Sequence, residues 1–320
     1  MLVIAPAQKY YSAYGIVIHS TYRLVLPRIK DHAVPAAPEI AFEPGAAALF
    51  AGALAQLREH VLREGWFHYL RLSDGSDYLR WPKLFEFLIS ADGRRILAYP
   101  LGGVSFEKLQ TYLLSQVLSF ALLRLGIETL HGTTLAVGNG AVTFLGDCGY
   151  GKSTLAAAFV REGFPLLTDD MLVIKETGSK QLAYPGLPCL KLMPRTARAL
   201  LGPCTEAAPI NPFTCKRVIR LKQTQVVSAP RPLRAVYALK PPRKDTQQNI
   251  AIRKLTGQKA WQELTRNTYN TAARNTQRLA KQFAWAAHLA RQLPVKSLSY
   301  PRSLRCLPQV VEQVVSDAFT

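Results

Sequence analysis

Residues 146–154, Gly-Asp-Cys-Gly-Tyr-Gly-Lys-Ser-Thr, match the pattern G-x-x-x-x-G-K-[ST] in full. Glycines at the fixed positions let the backbone turn its N–H groups inward around a phosphate, and a following helix points its positive end at the same anion. Lys152 then reaches β/γ-phosphate oxygens and the Ser153 hydroxyl can bind Mg²⁺. Asp169 and Asp170 stand 17 and 18 residues past Lys152 within the apolar stretch FPLLTDDMLVI. Adjacent carboxylates among Leu and Ile are costly unless they are paired or used. One could hold the metal and the other accept the proton of an attacking hydroxyl. The plain alternative is a pair of turn residues at a strand end. Strand neighbours point to opposite faces, so only one aspartate faces the loop unless the strand has ended. His131, 15 residues before Gly146, is a third candidate. Taken alone it reads equally as a packed or capping histidine.

These residues need elements to position them. TTLAVGNGAVTFLG (133–146) places Asn139-Gly140 between two apolar runs, a signal for a β-hairpin with a primed turn. The strand entering the loop is therefore expected to be the second arm of an antiparallel hairpin. KSTLAAAFVREG (152–163) reads as a helix stopped by Gly163. Upstream, 14–27 reads as strand, 44–65 as helix stopped by Gly65, and 66–103 as short strands broken at SDGSD and ADGR. Trp66, Tyr69, Tyr78 and Trp81 in this stretch are expected mainly as packed sheet residues, with a recognition face as the alternative. Residues 106–126 read as an amphipathic helix, and 185–212 is rich in proline. The stretch 231–242 reads as strand, and 258–293 as helix with Leu279, Phe283, Ala286 and Ala290 on one stripe. A last strand and helix follow. The expected division is a mostly β module over 1–103 and a P-loop domain over 104–320.

The net charge of +19 is unevenly placed: residues 1–160 hold 14 Lys/Arg against 12 Asp/Glu, and residues 161–320 hold 26 against 9. A basic half suits an anionic partner, such as a nucleotide or an acidic peptide; a solvated basic surface is the plain alternative. No helix-turn-helix or RNA-binding motif argues for nucleic acid. The stretch YLLSQVLSFALLRLG is too short and too polar to cross a membrane. The opening residues have neither a basic n-region nor a long apolar h-region, so no signal peptide is expected. The five cysteines, Cys148, Cys189, Cys204, Cys215 and Cys306, form no CxxC pair and read as free thiols in a reducing, cytoplasmic setting.

His131-Gly132, the hairpin, the phosphate loop and Asp169-Asp170, in that order and spacing, resemble the HPr kinase/phosphorylase family, a group of phosphoenolpyruvate-carboxykinase-like kinases. LHGTTLAV, GKSTLAAAF, LLTDDMLVI and YPGLPCLKLMP are similar to a looser group of HPr-kinase-like proteins that includes the lasso-peptide precursor kinases. The resemblance implies an α/β fold with α+β elements, its P-loop core carrying a hairpin before the loop. It implies ATP and Mg²⁺ as cofactors. Gly146, Asp147, Cys148, Gly149, Tyr150, Gly151, Lys152, Ser153 and Thr154 would cradle the nucleotide. Ser153 and Asp170 would lie on the metal side, Asp169 would take the proton from an acceptor serine, and His131 would orient and tune that aspartate.

The implied activity is transfer of the γ-phosphate to a serine of a peptide or small protein, with the C-terminal serine of a lasso precursor as one acceptor. The alternatives are a bifunctional HPr kinase/phosphorylase, a small-molecule kinase, and a nucleotide-sensing regulator that binds an anionic partner. The glycine-rich signature that serves the family's reverse reaction is not recognisable after Asp170, so the forward direction is expected. The resembling enzymes self-associate, which makes a homo-oligomer an expectation too.

Overall fold

The computed structural model describes residues 4–30, 39–60, 65–203, 209–210, 214–241, 249–273 and 275–319. Two compact units emerge, Met1–Ile127 with Asn270–Ala273, and Glu128–Tyr269 with Arg274–Thr320.

The first unit is built on a seven-stranded mixed sheet. Its strands are β1 (Ile4–Ala13), β2 (Ile16–Tyr22), β3 (Ile40–Pro44), β4 (His68–Arg71), β5 (Asp77–Trp81), β6 (Phe85–Ile89) and β7 (Arg95–Pro100), in the order β1-β2-β3-β7-β6-β5-β4. Helix α1 (Ala47–His60) contributes Phe50, Ala53 and Leu57 to a core with Tyr78. The end expected for this helix at Gly65 falls partly on 61–64, outside the described residues. Helices α2 (Phe106–Tyr112) and α3 (Leu118–Arg124) are joined through a π-helical turn at Leu113–Val117.

The expected division at residue 103 shifts to Ile127 because this helical stretch is bonded to the sheet. Tyr14 donates its hydroxyl to the Leu114 carbonyl at 3.0 Å, and Arg124 Nε meets the buried Asp77 carboxylate at 2.6 Å. Tyr112 packs edge-on against Trp81. Tyr78 and Trp81 are fully buried and Trp66 is half exposed, so the aromatic group is mainly sheet packing.

The second unit carries the phosphate-loop motif. Strands β8 (Thr129–Leu130), β9 (Gly132–Val137) and β10 (Gly140–Leu145) lead to the loop, and α4 (Lys152–Arg161) follows it. Then come β11 (Leu166–Thr168), β12 (Leu172–Thr177), β13 (Lys180–Ala183), β14 (Cys189–Leu192), α5 (Pro194–Leu201), β15 (Arg217–Arg220), β16 (Arg231–Leu239) and β17 (Ala251–Leu255). Helices α6 (Gln258–Arg266) and α7 (Thr276–Gln292), strand β18 (Val295–Ser299) and helix α8 (Leu307–Asp317) complete it.

Its nine-stranded sheet runs β11-β9-β10-β16-β13-β12-β8, with β18 paired to β16 and β17. Strand β10 is antiparallel to β9, as the hairpin pattern implies, and parallel to β16 on its other side. The turn is placed one residue earlier than expected. Gly140 pairs with Val137, so Gly138-Asn139 are the central residues and the positive φ of 55° belongs to Gly138. Both strands of the hairpin are buried throughout, which explains their unbroken apolar and threonine composition. Gly132 is required by packing: a Cβ there would stand 2.8 Å from Leu145 Cδ2 and 3.1 Å from the Phe144 carbonyl oxygen.

Helix α4 ends as its sequence suggests. Gly163 takes φ 89°, its N–H reaches the Val160 carbonyl, and Phe164 N–H reaches the Phe159 carbonyl at 2.9 Å, a Schellman closure. The stretch 258–293 is corrected. It is two helices broken over 267–275, with Asn275 capping α7 through the Arg278 N–H at 2.8 Å. The buried stripe of α7 is Arg278, Gln282, Ala286 and Leu289, while Leu279 and Phe283 are exposed and Ala290 is partly buried. Phe283 packs instead beside Trp261 of α6, at 4.9 Å between ring centroids.

Cys148, Cys189, Cys215 and Cys306 are free, and Cys204 lies outside the described residues. Among the described residues no helix is long and apolar enough to cross a membrane.

Phe144, the penultimate residue of β10, is fully buried against Phe159 of α4 and Tyr237 of β16. Phe144→Ala should therefore cost about 3–5 kcal/mol of unfolding free energy, measured by denaturant titration. A loss below about 1 kcal/mol would mean that this ring does not anchor the loop's strand.

Candidate phosphate-binding and catalytic site

The loop takes a shape that only its glycines permit. Gly146, Gly149 and Gly151 have φ of 144°, 88° and 95°. Helix α4 begins directly after Gly151 with no side-chain cap, so its first-turn N–H groups remain for an anion. Lys152 is only 7% exposed, and its ammonium donates to the main-chain carbonyls of Gly146 and, at 3.3 Å, Asp147. Among the described residues no carboxylate is in ion-pair contact with it. Burial pulls its pKa down, against the opposing pull of Asp170 and Asp169.

The two aspartates occupy a break between β11 and β12. Thr168 donates to the Met171 carbonyl at 2.8 Å, Met171 N–H bonds the Asp169 carbonyl at 3.0 Å, and Asp170 adopts φ 75°. The alternation of a continuous strand is thereby lost, and both carboxylates meet Lys191, Asp169 at its N–H and Asp170 at its ammonium. Asp169 accepts from Thr133 Oγ1 at 2.6 Å, from Ser153 Oγ at 3.3 Å to each of its oxygens, and from the Lys191 N–H at 3.1 Å. Asp170 is paired with the Lys191 ammonium. Burial, then the neighbouring Asp170, pushes the Asp169 carboxyl up. Burial would raise Asp170 too, but the Lys191 ammonium, together with His131 and Lys152, outweighs it and holds that carboxyl below the usual carboxylate range.

The backbone of His131 is fixed by its N–H on the Asn267 carbonyl at 2.6 Å, with its ring 5.3 Å from that of Tyr269. Burial lowers its pKa to about 4, against an upward pull from Asp170, so the imidazole is neutral near pH 7. The structure thus brings Lys152, Ser153, Asp169, Asp170 and His131 into one electrostatic group. Of the other loop residues, Asp147 is paired with Arg266, Gly149 offers its carbonyl to Arg302, Cys148 is exposed, and Tyr150 packs against the core below the loop. Thr154 is partly buried on the first turn of α4.

Thr133, Lys191, Arg266, Asn267 and Arg302 were not singled out from the sequence. Thr133 and Lys191 lie in ordinary strand sequence, and only the fold sets them against the aspartates. Asn267 had a readable signal: Asn267-Thr-Tyr-Asn270 clusters two helix-ending residues inside the stretch taken as one helix.

The residues present fit a nucleotide with Mg²⁺. A desolvated ammonium, glycine-shaped backbone and an uncapped helix start suit phosphate, and Ser153 with the carboxylates supplies hard oxygen donors. Among the described residues no group of three or more His, Cys, Asp or Glu is placed to hold a metal by itself. Mg²⁺ beside a nucleotide needs only one or two protein oxygens, because waters and phosphate oxygens complete its shell.

No protein-family model matches this chain, and no curated protein matches it. Among solved structures, the HPr(Ser) kinase/phosphatase from Coxiella burnetii is similar at 16% identity and a TM-score of 0.33, over 59% of this chain and 94% of that one. The likeness is a distant structural relationship.

His131 supplies a test of the electrostatics. The unfolded chain takes up a proton on this histidine near pH 6.5, whereas the native state does so only near 4. Native stability should therefore fall as the pH drops through that window. His131→Gln should lose less stability than the wild type between those two pH values. An NMR titration should place the His131 pKa near 4, and Asp170→Asn should lower it further by removing the upward pull. A His131 pKa at or above 6.5 would overturn the assignment.

Proposed function

We propose that this chain is an ATP-dependent kinase that transfers the γ-phosphate to a serine of a peptide or small protein. The observation that carries the reading is the Lys152 ammonium, buried over loop carbonyls with no carboxylate in ion-pair contact among the described residues, next to a Ser153 hydroxyl bonded to the buried Asp169. A buried cation of that kind is completed by an anion, and the loop around it has the shape that suits a phosphate.

In this reading the loop amides and Lys152 hold the β- and γ-phosphates. Asp169 receives the proton of the acceptor serine as its oxygen attacks phosphorus. Its raised pKa makes it the better proton acceptor of the pair. Asp170, kept ionised by Lys191, sits with Ser153 on the metal side. Neutral His131 orients the base and adds no competing positive charge. Mg²⁺, when bound, neutralises charge developing on the phosphate oxygens. The Ser153–Asp169 hydrogen bond argues for the opposite division of labour between the aspartates, and the variants below separate the two assignments. The acceptor class that best suits the basic half of the chain is an acidic peptide, with a C-terminal serine of a ribosomally made lasso precursor as the specific candidate.

Lys152→Ala should cut phosphoryl transfer by about 10²–10³ or more with the fold retained, since one preorganised electrostatic contact is commonly worth about 3–4 kcal/mol. Asp169→Asn should cut turnover by about 10²–10⁴ while ATP affinity stays within a few fold. Asp170→Asn should instead raise the Mg²⁺ requirement. ATP affinity and turnover at several Mg²⁺ levels read all three, with labelled ATP and candidate peptides or HPr as acceptors. Loss of Mg²⁺–ATP binding in Asp169→Asn with only turnover lost in Asp170→Asn would exchange the two roles. Full activity in folded Lys152→Ala would sink the reading.

The rate at low peptide concentration should also fall steeply with salt, because screening shortens to about 8 Å near physiological ionic strength. A flat salt response would assign the basic half to solvated surface. Rapid pyrophosphate formation from phosphorylated product and inorganic phosphate would favour the bifunctional enzyme.

A further inference from the structure

Residues 267–269, directly after α6, lie beside β8, the first of the strands that lead to the phosphate loop. Residues 267–269 run antiparallel to 129–131: Leu130 bridges Thr268, Tyr269 N–H bonds the Thr129 carbonyl at 2.9 Å, and His131 N–H bonds the Asn267 carbonyl at 2.6 Å. The Asn267 side chain is turned the other way. Its Oδ1 accepts the Gly146 N–H at 2.8 Å, and its Nδ2 donates to the Glu263 carbonyl at 2.8 Å in the last turn of α6. The residue is 4% exposed. Acceptor faces donor at one end and donor faces acceptor at the other, so the opposite amide orientation would lose both bonds. Only asparagine among the short side chains supplies both groups at this reach. Next to it, Arg266 pairs with Asp147 of the loop.

Gly146 is the point where β10 turns into the loop, and its φ of 144° is open to glycine and few other residues. Its N–H is spent on Asn267, which makes Gly146 the anchor of the loop, and within the loop the Tyr150 N–H closes on the Asp147 carbonyl at 3.1 Å. One residue therefore sets the entry angle of the loop through its side chain and the position of His131 through its backbone. We propose that Asn267 is a positioning residue for nucleotide binding and phosphate transfer, holding the phosphate loop in register with His131. The inference rests on the kinase reading above for its functional meaning.

The test uses the full chain, a fluorescent ATP analogue (mant-ATP) with Mg²⁺, and the amide NMR signal of Gly146. Asn267→Leu leaves the Gly146 N–H buried without an acceptor. It should weaken mant-ATP binding about tenfold or more and shift the Gly146 amide signal upfield. Asn267→Asp keeps the acceptor, so the Gly146 signal should stay near its wild-type position. Its new negative charge at the loop entry should still weaken mant-ATP, and the loss should shrink as salt is raised. A folded Asn267→Leu that binds mant-ATP within about twofold of wild type, or leaves the Gly146 signal unmoved, overturns the proposal. Should Asn267→Leu fail to fold, Asn267→Ala removes the acceptor with less strain, and mant-ATP binding by it within about twofold of wild type overturns the proposal. A wild-type chain that binds no mant-ATP refutes the kinase reading instead, and the Gly146 signal then still decides whether Asn267 holds the loop.

Discussion

A buried lysine, a buried aspartate and its partly exposed neighbour set the terms for the rest of the second unit. Charges in such a place persist only if each is answered by another charge or by hydrogen bonds. Asp170 is answered by the Lys191 ammonium, and Asp169 by Thr133, Ser153 and the Lys191 N–H. Among the described residues Lys152 bonds main-chain carbonyl oxygens, and the two aspartates act on it without ion-pair contact. That asymmetry sets Lys152 apart from the Lys191–Asp170 ion pair and is what the kinase reading rests on. It also divides the pair electrically, with Asp169 pushed toward the proton and Asp170 away from it.

The sheet makes this arrangement affordable. Strand β10 is bonded antiparallel to β9 on one side and parallel to β16 on the other, so the strand entering the loop is fixed along both edges. The same hairpin presents Thr133 to Asp169 and starts directly after His131. β11, antiparallel to β9, stops at Thr168 and releases the two aspartates at the sheet end. Lys191 arrives on β14, held in a separate two-stranded sheet with β15. The site therefore assembles from segments distant in sequence, with Thr133 and Lys191 inside strands and Asp169, Asp170 and Asn267 where elements end.

The break between α6 and α7 follows the same logic. A continuous helix through 267–275 would carry its polar groups internally and offer nothing to the loop. Ending α6 at Arg266 frees the Asn267 side chain for Gly146 and its carbonyl for His131. Helix stability is given up locally for contacts that order two distant segments.

Much of this was legible in the residues alone. The G-x-x-x-x-G-K-[ST] spacing announced the loop, because glycine takes the backbone angles seen at 146, 149 and 151 far more readily than other residues. Gly163 announced the end of α4, and the alternation of apolar runs with turn residues announced the hairpin, β2 and the short strands β4 to β7 of the first unit, though not β1 or β3. These are local rules, read from neighbours in the chain. The rest was decided by contacts between distant segments. The sequence did not show that the turn centres on Gly138-Asn139, that α7 buries Arg278 and Gln282 rather than Leu279 and Phe283, or that the first unit extends to Ile127. It also did not show that Lys191 and Asn267 belong to the site. A lysine in a strand and an asparagine in a helical pattern look ordinary until the sheet and the helix break bring them to two carboxylates and one glycine amide. The residue types fix what chemistry is available, while burial and hydrogen bonding across the fold decide which carboxylate is raised, which is neutralised, and which cation is left for an anion.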